Sequence, residues 1–98
     1  MLPSEILAKY RSEVLEIMQR YESQGISNLR IFGSVARGED RPDSDIDFLV
    51  DAGRISLFTL GGLQAELEEL LQVPVDLVIS DGIKEGAREQ IENGAVKV

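Results

Sequence analysis

The stretch Gly33-Ser34-Val35-Ala36-Arg37-Gly38-Glu39-Asp40-Arg41-Pro42-Asp43-Ser44-Asp45-Ile46-Asp47 decides the fold. Ahead of it Leu29 to Phe32 is a short apolar run with strand character, cut off at once by Gly33-Ser34. Gly33-Ser34 opens a short helix through Val35-Ala36-Arg37. Gly38 to Ser44 is polar and holds Pro42, so it reads as a loop, and Ile46 to Val50 follows as a buried strand. Amides at such a helix start can receive a phosphate, glycine lets the backbone come close, and Ser34 adds a hydroxyl donor. Asp45 and Asp47 stand at the mouth of the second strand, on one face and roughly 6.5 Å apart along it. Two carboxylates so placed repel unless a cation lies between them, and hard divalent ions such as Mg²⁺ take oxygen ligands of that kind.

The flanks follow outward from this centre. Upstream, apolar residues at Ile6, Leu7, Tyr10, Val14, Ile17, Met18 and Tyr21 predict one amphipathic helix, with Pro3 in its first turn and Gly25 as its stop. Lys9–Glu13 and Glu16–Arg20 are i,i+4 pairs on its outer face. Downstream, Ser56 caps a helix to about Leu71, with Leu60, Leu63, Leu67 and Leu70 or Leu71 inward, although Gly61-Gly62 weakens its start. Val75 to Ile79 is a third strand, and a last short helix runs from Ile83 to about Glu92. The crossover through residues 57–71 is long enough to make strands two and three parallel neighbours. Asp76 then joins Asp45 and Asp47 at one end of the sheet, and an antiparallel first strand delivers Gly33-Ser34 to the same end. The expected architecture is a single α/β (α+β) domain over residues 1–98, a three-stranded mixed sheet flanked by about four helices. A phosphate cradle facing three carboxylates fits two-metal phosphoryl or nucleotidyl transfer.

Composition narrows the chemistry. The 98 residues are 43% hydrophobic and 29% charged, the proportions of a globular chain. There is no cysteine and no histidine, which removes disulfides, thiol nucleophiles, Ser-His-Asp catalysis and the usual zinc sites. Eighteen acidic against ten basic residues give a net charge of -8, against gripping a long nucleic acid or an anionic membrane surface. The opening residues lack a basic region followed by an apolar run, and no stretch reaches the roughly 20 apolar residues of a membrane helix. The expectation is a cytoplasmic protein.

Gly-Ser, then ten residues, then Asp-x-Asp resembles the signature of the DNA polymerase β nucleotidyltransferase superfamily. Within it, GSVARGEDRPDSDIDFLV is similar to the minimal nucleotidyltransferases found beside HEPN-domain proteins, and the likeness spans nearly the whole chain. The resemblance implies the polymerase-β-type fold and a role for each matching position. Gly33 and Ser34 would hold a nucleoside triphosphate, Asp45 and Asp47 would bind two Mg²⁺ ions, and Asp76 would complete the metal site and help deprotonate the acceptor. It further implies ATP as substrate, AMP transfer to a tyrosine of a HEPN ribonuclease toxin, and an antitoxin role in which that transfer silences the toxin. A chain of this length leaves no room for a separate recognition domain. The acceptor is then expected to arrive as a folded protein, in a hetero-oligomer with the toxin, or a second copy helps to build the site as a homo-oligomer.

Plainer readings compete with these. Asp43, Asp45 and Asp47 imitate a calcium loop, but Phe48 stands where glycine is needed and Arg54 where the closing glutamate should be. A solvated acidic turn, a strand-mouth acid and a helix-cap serine are the bland accounts of Asp45/Asp47, Asp76 and Ser34. Arg37 and Arg41 are the nearest cations to the expected phosphates and either could offset their charge. Tyr10, Tyr21 and the leucines of residues 57–71 read as core, whereas Phe58 is surplus to that stripe and marks a partner surface. Two other functions stay open: an antitoxin that binds and occludes its toxin without catalysis, and a transferase acting on a small molecule or an RNA end.

Overall fold

The computed structural model describes residues 1–80, 91 and 94–98. Its elements in chain order are α1 (Pro3–Lys9), α2 (Arg11–Glu22), β1 (Ile26–Phe32), α3 (Gly33–Arg37), β2 (Ile46–Ala52), α4 (Leu57–Leu71), β3 (Val75–Ile79) and β4 (Val96–Lys97). The sheet order is β3-β2-β1-β4, with β2 parallel to β3 and antiparallel to β1. Ile46, Phe48, Leu49 and Val50 of β2 have no solvent exposure. A nearly unbroken apolar run is what a strand buried on both faces requires. Each such side chain contributes roughly 1.5–3 kcal/mol of burial.

Helices α2 and α4 pack against each other, α2 on β1 and α4 on β3. Val14, Ile17, Met18 and Tyr21 of α2 and Leu63, Leu67 and Leu71 of α4 form the buried ridges. The hydroxyl of Ser56 accepts from Thr59 N–H at 3.1 Å and so caps α4. The Gly61-Gly62 pair does not stop the helix. At Gly62 a Cβ would come within 3.1 Å of the Tyr21 hydroxyl, which donates to Glu66 at 2.5 Å.

Three expectations need correction. The single first helix is two, broken at Tyr10, whose backbone (φ -104°, ψ 18°) leaves the helical region. No glycine or proline stands there; α1 is fastened elsewhere, by Asp40 accepting from Ser4 N–H at 2.8 Å. The i,i+4 ion pairs do not form among the described residues: Arg20 pairs with Glu66 at 2.7 Å, and Lys9 lies over the Tyr10 ring. The sheet has four strands, because Arg30 and Ile31 pair with the two-residue β4, too short to show any periodicity. The helix expected over 83–92 falls mostly outside the described residues.

The far end of β2 is tied by one carboxylate. Asp51 accepts from Asn28 Nδ2 at 2.9 Å, Ser80 Oγ at 2.8 Å and the Arg30 guanidinium at 2.5 Å, joining β1, β2 and the end of β3. These donors, Asn28 foremost, hold Asp51 below the ordinary carboxylate value. β1 is irregular here, with Asn28 at φ 57° and a register shift between Ser27 and Arg30. Among the described residues no helix is long and apolar enough to cross a membrane.

Candidate active site

Strand pairing brings the predicted residues to one end of the sheet. Phe32, the last residue of β1, is opposite Asp47, and Asp47 is opposite Asp76 on the parallel neighbour. Residues so paired lie on one face of adjacent strands about 4.8 Å apart. Asp45 immediately precedes β2 and is exposed, as is Asp76, while Asp47 is half-buried. Burial pushes the Asp47 carboxyl above the ordinary value, the charges of Asp76 and then Asp45 push the same way, and Arg37 opposes them. Three carboxylates and one guanidinium therefore share one electrostatic neighbourhood.

Gly33 is fixed by that neighbourhood as much as by its turn. Its φ is +71°, and a Cβ there would overlap the Asp47 carboxylate, with Cγ at 3.2 Å. Glycine is thus what lets β1 pass into α3 while Asp47 keeps its place. Ser34 is half-buried in the first turn of α3, and its carbonyl accepts from Glu39 N–H at 2.8 Å. Gly38, left-handed at φ 70°, ends the helix.

Of the two expected cations, Arg37 stands beside the acids, its Nε 3.0 Å from Glu39 in an exposed ion pair. Arg41 is exposed in the loop, where its backbone N–H donates to Ser44 Oγ at 2.8 Å, and nothing described brings its guanidinium to the acids. The wall beyond Arg37 has no counterpart among the residues expected at the site. A cavity of about 330 Å³ is lined by Phe32, Gly33, Arg37, Ile91 and Gly94. Ile91 and Gly94 come from a segment with no motif, so no local signal announces them.

The donor set is all carboxylate oxygen, the kind a hard divalent ion takes. Among the described residues no three acidic side chains are already drawn together as ligands of one ion. Asp45 and Asp76 are exposed and their charges act on Asp47, so an ion there would offset the repulsion that adds to burial in raising Asp47. The residues fit such a group.

Residues 11–98 match the family described as nucleotidyltransferase domain. The protein adenylyltransferase MntA of Thermococcus cleftensis is 38% identical over 84 residues, covering 85% of this chain and 82% of that protein. A Methanocaldococcus jannaschii protein, provisionally named as a protein adenylyltransferase, is 43% identical over 75 residues, covering 76% of this chain and 81% of its own. A solved structure described provisionally as a minimal nucleotidyltransferase superposes with a TM-score of 0.81 at 36% identity, over 94% of this chain and 95% of the other. A toxin–antitoxin crystal structure with AMP-PNP shares the fold at a TM-score of 0.69 and 22% identity, over 86% of this chain and 70% of the other.

Proposed function

This chain belongs to the nucleotidyltransferase domain family and is a nucleotidyltransferase, and from that premise we propose that it is a Mg²⁺-dependent protein adenylyltransferase that moves AMP from ATP to a tyrosine of a HEPN-domain toxin. The observation that carries the reading is the register of Asp47 with Asp76 on one side and with Phe32, next to Gly33, on the other. The identity with a relative named protein adenylyltransferase MntA supports protein as acceptor class, and the antitoxin role is what the sequence resemblance implies. The toxin–antitoxin structure shares only the fold with this chain, and it suits a toxin as the partner. ATP as donor makes the cytoplasm the setting.

In this reading Gly33 and Ser34 hold the triphosphate and Arg37 offsets its charge, while Arg41 stays in the loop with no part assigned by contact. The tyrosine hydroxyl attacks the α-phosphorus in line. A bond forms between that oxygen and phosphorus, the bond to the bridging oxygen of the β-phosphate breaks, and pyrophosphate leaves. Asp76 receives the proton of the hydroxyl, directly or through water. Asp45, Asp47 and Asp76 would hold the divalent ions, and ions held there would acidify the attacking hydroxyl and offset the charge of the departing pyrophosphate.

The test is a labelling assay with ATP carrying a radioactive α-phosphate, Mg²⁺ and the co-expressed toxin. Wild type should label the toxin on a denaturing gel, and the Asp45→Ala, Asp47→Ala double variant should not. Toxin neutralisation by the double variant without label would replace transfer by occlusion. Label on RNA or on a small molecule would replace the acceptor.

A further inference from the structure

Arg37 stands in a field that should draw it elsewhere. Its charge acts on Asp47, and the charges of Asp76 and Asp45 act on the same carboxyl. Acids so near attract a guanidinium, and one that folded onto Asp47 would take the place of an ion. The side chain is held off them. Among the described residues no ion pair joins Arg37 to Asp45, Asp47 or Asp76. Its Nε donates instead to Glu39 Oε2 at 3.0 Å, and the residue borders the cavity beside Phe32 and Gly33.

Glu39 can hold it because the backbone at Glu39 is fastened on both sides. Left-handed Gly38 turns the chain back at the end of α3, and the Glu39 N–H donates to the Ser34 carbonyl at 2.8 Å. The next residue, Asp40, accepts from the Ser4 N–H at 2.8 Å. The carboxylate that meets Arg37 therefore springs from a fixed base, tied to Ser34 itself.

A guanidinium has two edges that grip an oxyanion with paired N–H groups, one along its Nε side and one at its Nη end. Glu39 takes the first, and among the described residues nothing takes the second. An exposed pair of this kind adds little to stability, so what it fixes is direction. We propose, resting on the reading of Gly33, Ser34 and Arg37 as a triphosphate cradle, that Glu39 is a positioning residue for Arg37. Its carboxylate holds the guanidinium by the Nε edge, away from the three acids, and leaves the Nη end to grip the phosphates beyond the α-phosphorus.

Charge alone predicts the opposite result. Removing an anion beside a triphosphate should tighten ATP binding, whereas losing the brace should weaken it. Titration calorimetry of the full chain with ATP and Mg²⁺ tests this. Arg37→Ala should weaken binding roughly 10- to 100-fold, and Glu39→Ala about 3- to 5-fold. Glu39→Gln keeps an oxygen acceptor for Nε and should bind ATP at least as tightly as wild type. In the Arg37→Ala background Glu39→Ala should weaken ATP no further, as expected of a residue that acts through another. Both side chains are exposed, and unchanged thermal midpoints check that the variants fold. A Glu39→Ala variant that binds ATP as tightly as wild type, while Arg37→Ala still weakens it, overturns the proposal and leaves the cradle standing. So does a loss that Glu39→Gln shares in full, or one that persists without Arg37. A wild type that binds no ATP overturns the cradle and the brace together.

Discussion

Asp47 is held where its own charge is unwelcome. Burial, Asp76 and Asp45 all raise its proton affinity, so the folded chain binds that proton more tightly than the unfolded chain does. Its ionisation therefore costs stability at neutral pH, a cost that fades as pH falls through the raised value. In metal-free buffer Asp47→Asn is expected to raise the thermal midpoint at pH 7, read by calorimetry, while transfer, assayed separately with Mg²⁺, falls roughly 10²–10³-fold. A lowered midpoint would mean that the neighbouring acids do not strain it. Gly33 supplies a second test at this scale. Gly33→Ala meets both a left-handed backbone and the Asp47 carboxylate, whereas Gly38→Ala meets a left-handed backbone in open space. Gly38→Ala should cost about 1–2 kcal/mol, and Gly33→Ala should lower the midpoint further, by roughly 4–8 °C for each additional kcal/mol. Equal midpoints for the two variants would remove Asp47 as the reason for glycine at position 33.

The elements differ in how openly the sequence states them. β3 is legible to the residue, Val75–Ile79, because in the sequence Pro74 and the turn-forming residue types of Ser80-Asp81-Gly82 punctuate a β-branched run. The cap, stripe and length of α4 are equally plain, and the DxD and Gly-Ser positions are legible because their chemistry is local. The first half of β1 is hidden by Ser27-Asn28, poor strand residues that extend the pairing through a left-handed Asn28. The break at Tyr10 is invisible because no glycine or proline marks it, and the contact that fastens α1, Asp40 with the Ser4 N–H, is distant in sequence. Asp40 also connects the loop carrying Asp45 to the start of α1. Asp40→Ala is expected to destabilise α1 by about 0.5–2 kcal/mol. Hydrogen exchange should then quicken at Ser4–Leu7 amides and stay unchanged in α4. Uniform quickening would show that α1 does not open on its own.

For the molecule as a whole, acid separates the two ends of the sheet. Asp51 is lowered by its donors and Asp40 by the Ser4 amide, both from an ordinary value of 3.8. A depressed carboxylate contributes stability above its unfolded value, and that contribution is lost as pH falls through the folded one. Stability should therefore decline below about pH 4, and Asp51→Asn should flatten the decline by removing the three-strand tie. Denaturant titrations between pH 2.5 and 5 would check this, and an unchanged slope in Asp51→Asn would exclude Asp51 as its source. The order of pairing along the chain has one more consequence. Every strand that aligns Asp47 with Asp76 is complete by Ile79, whereas the β4 cover on β1 waits for Val96 and Lys97. Loss of the β4 cover would therefore bare the outer edge of β1 without breaking any pairing that aligns the acids.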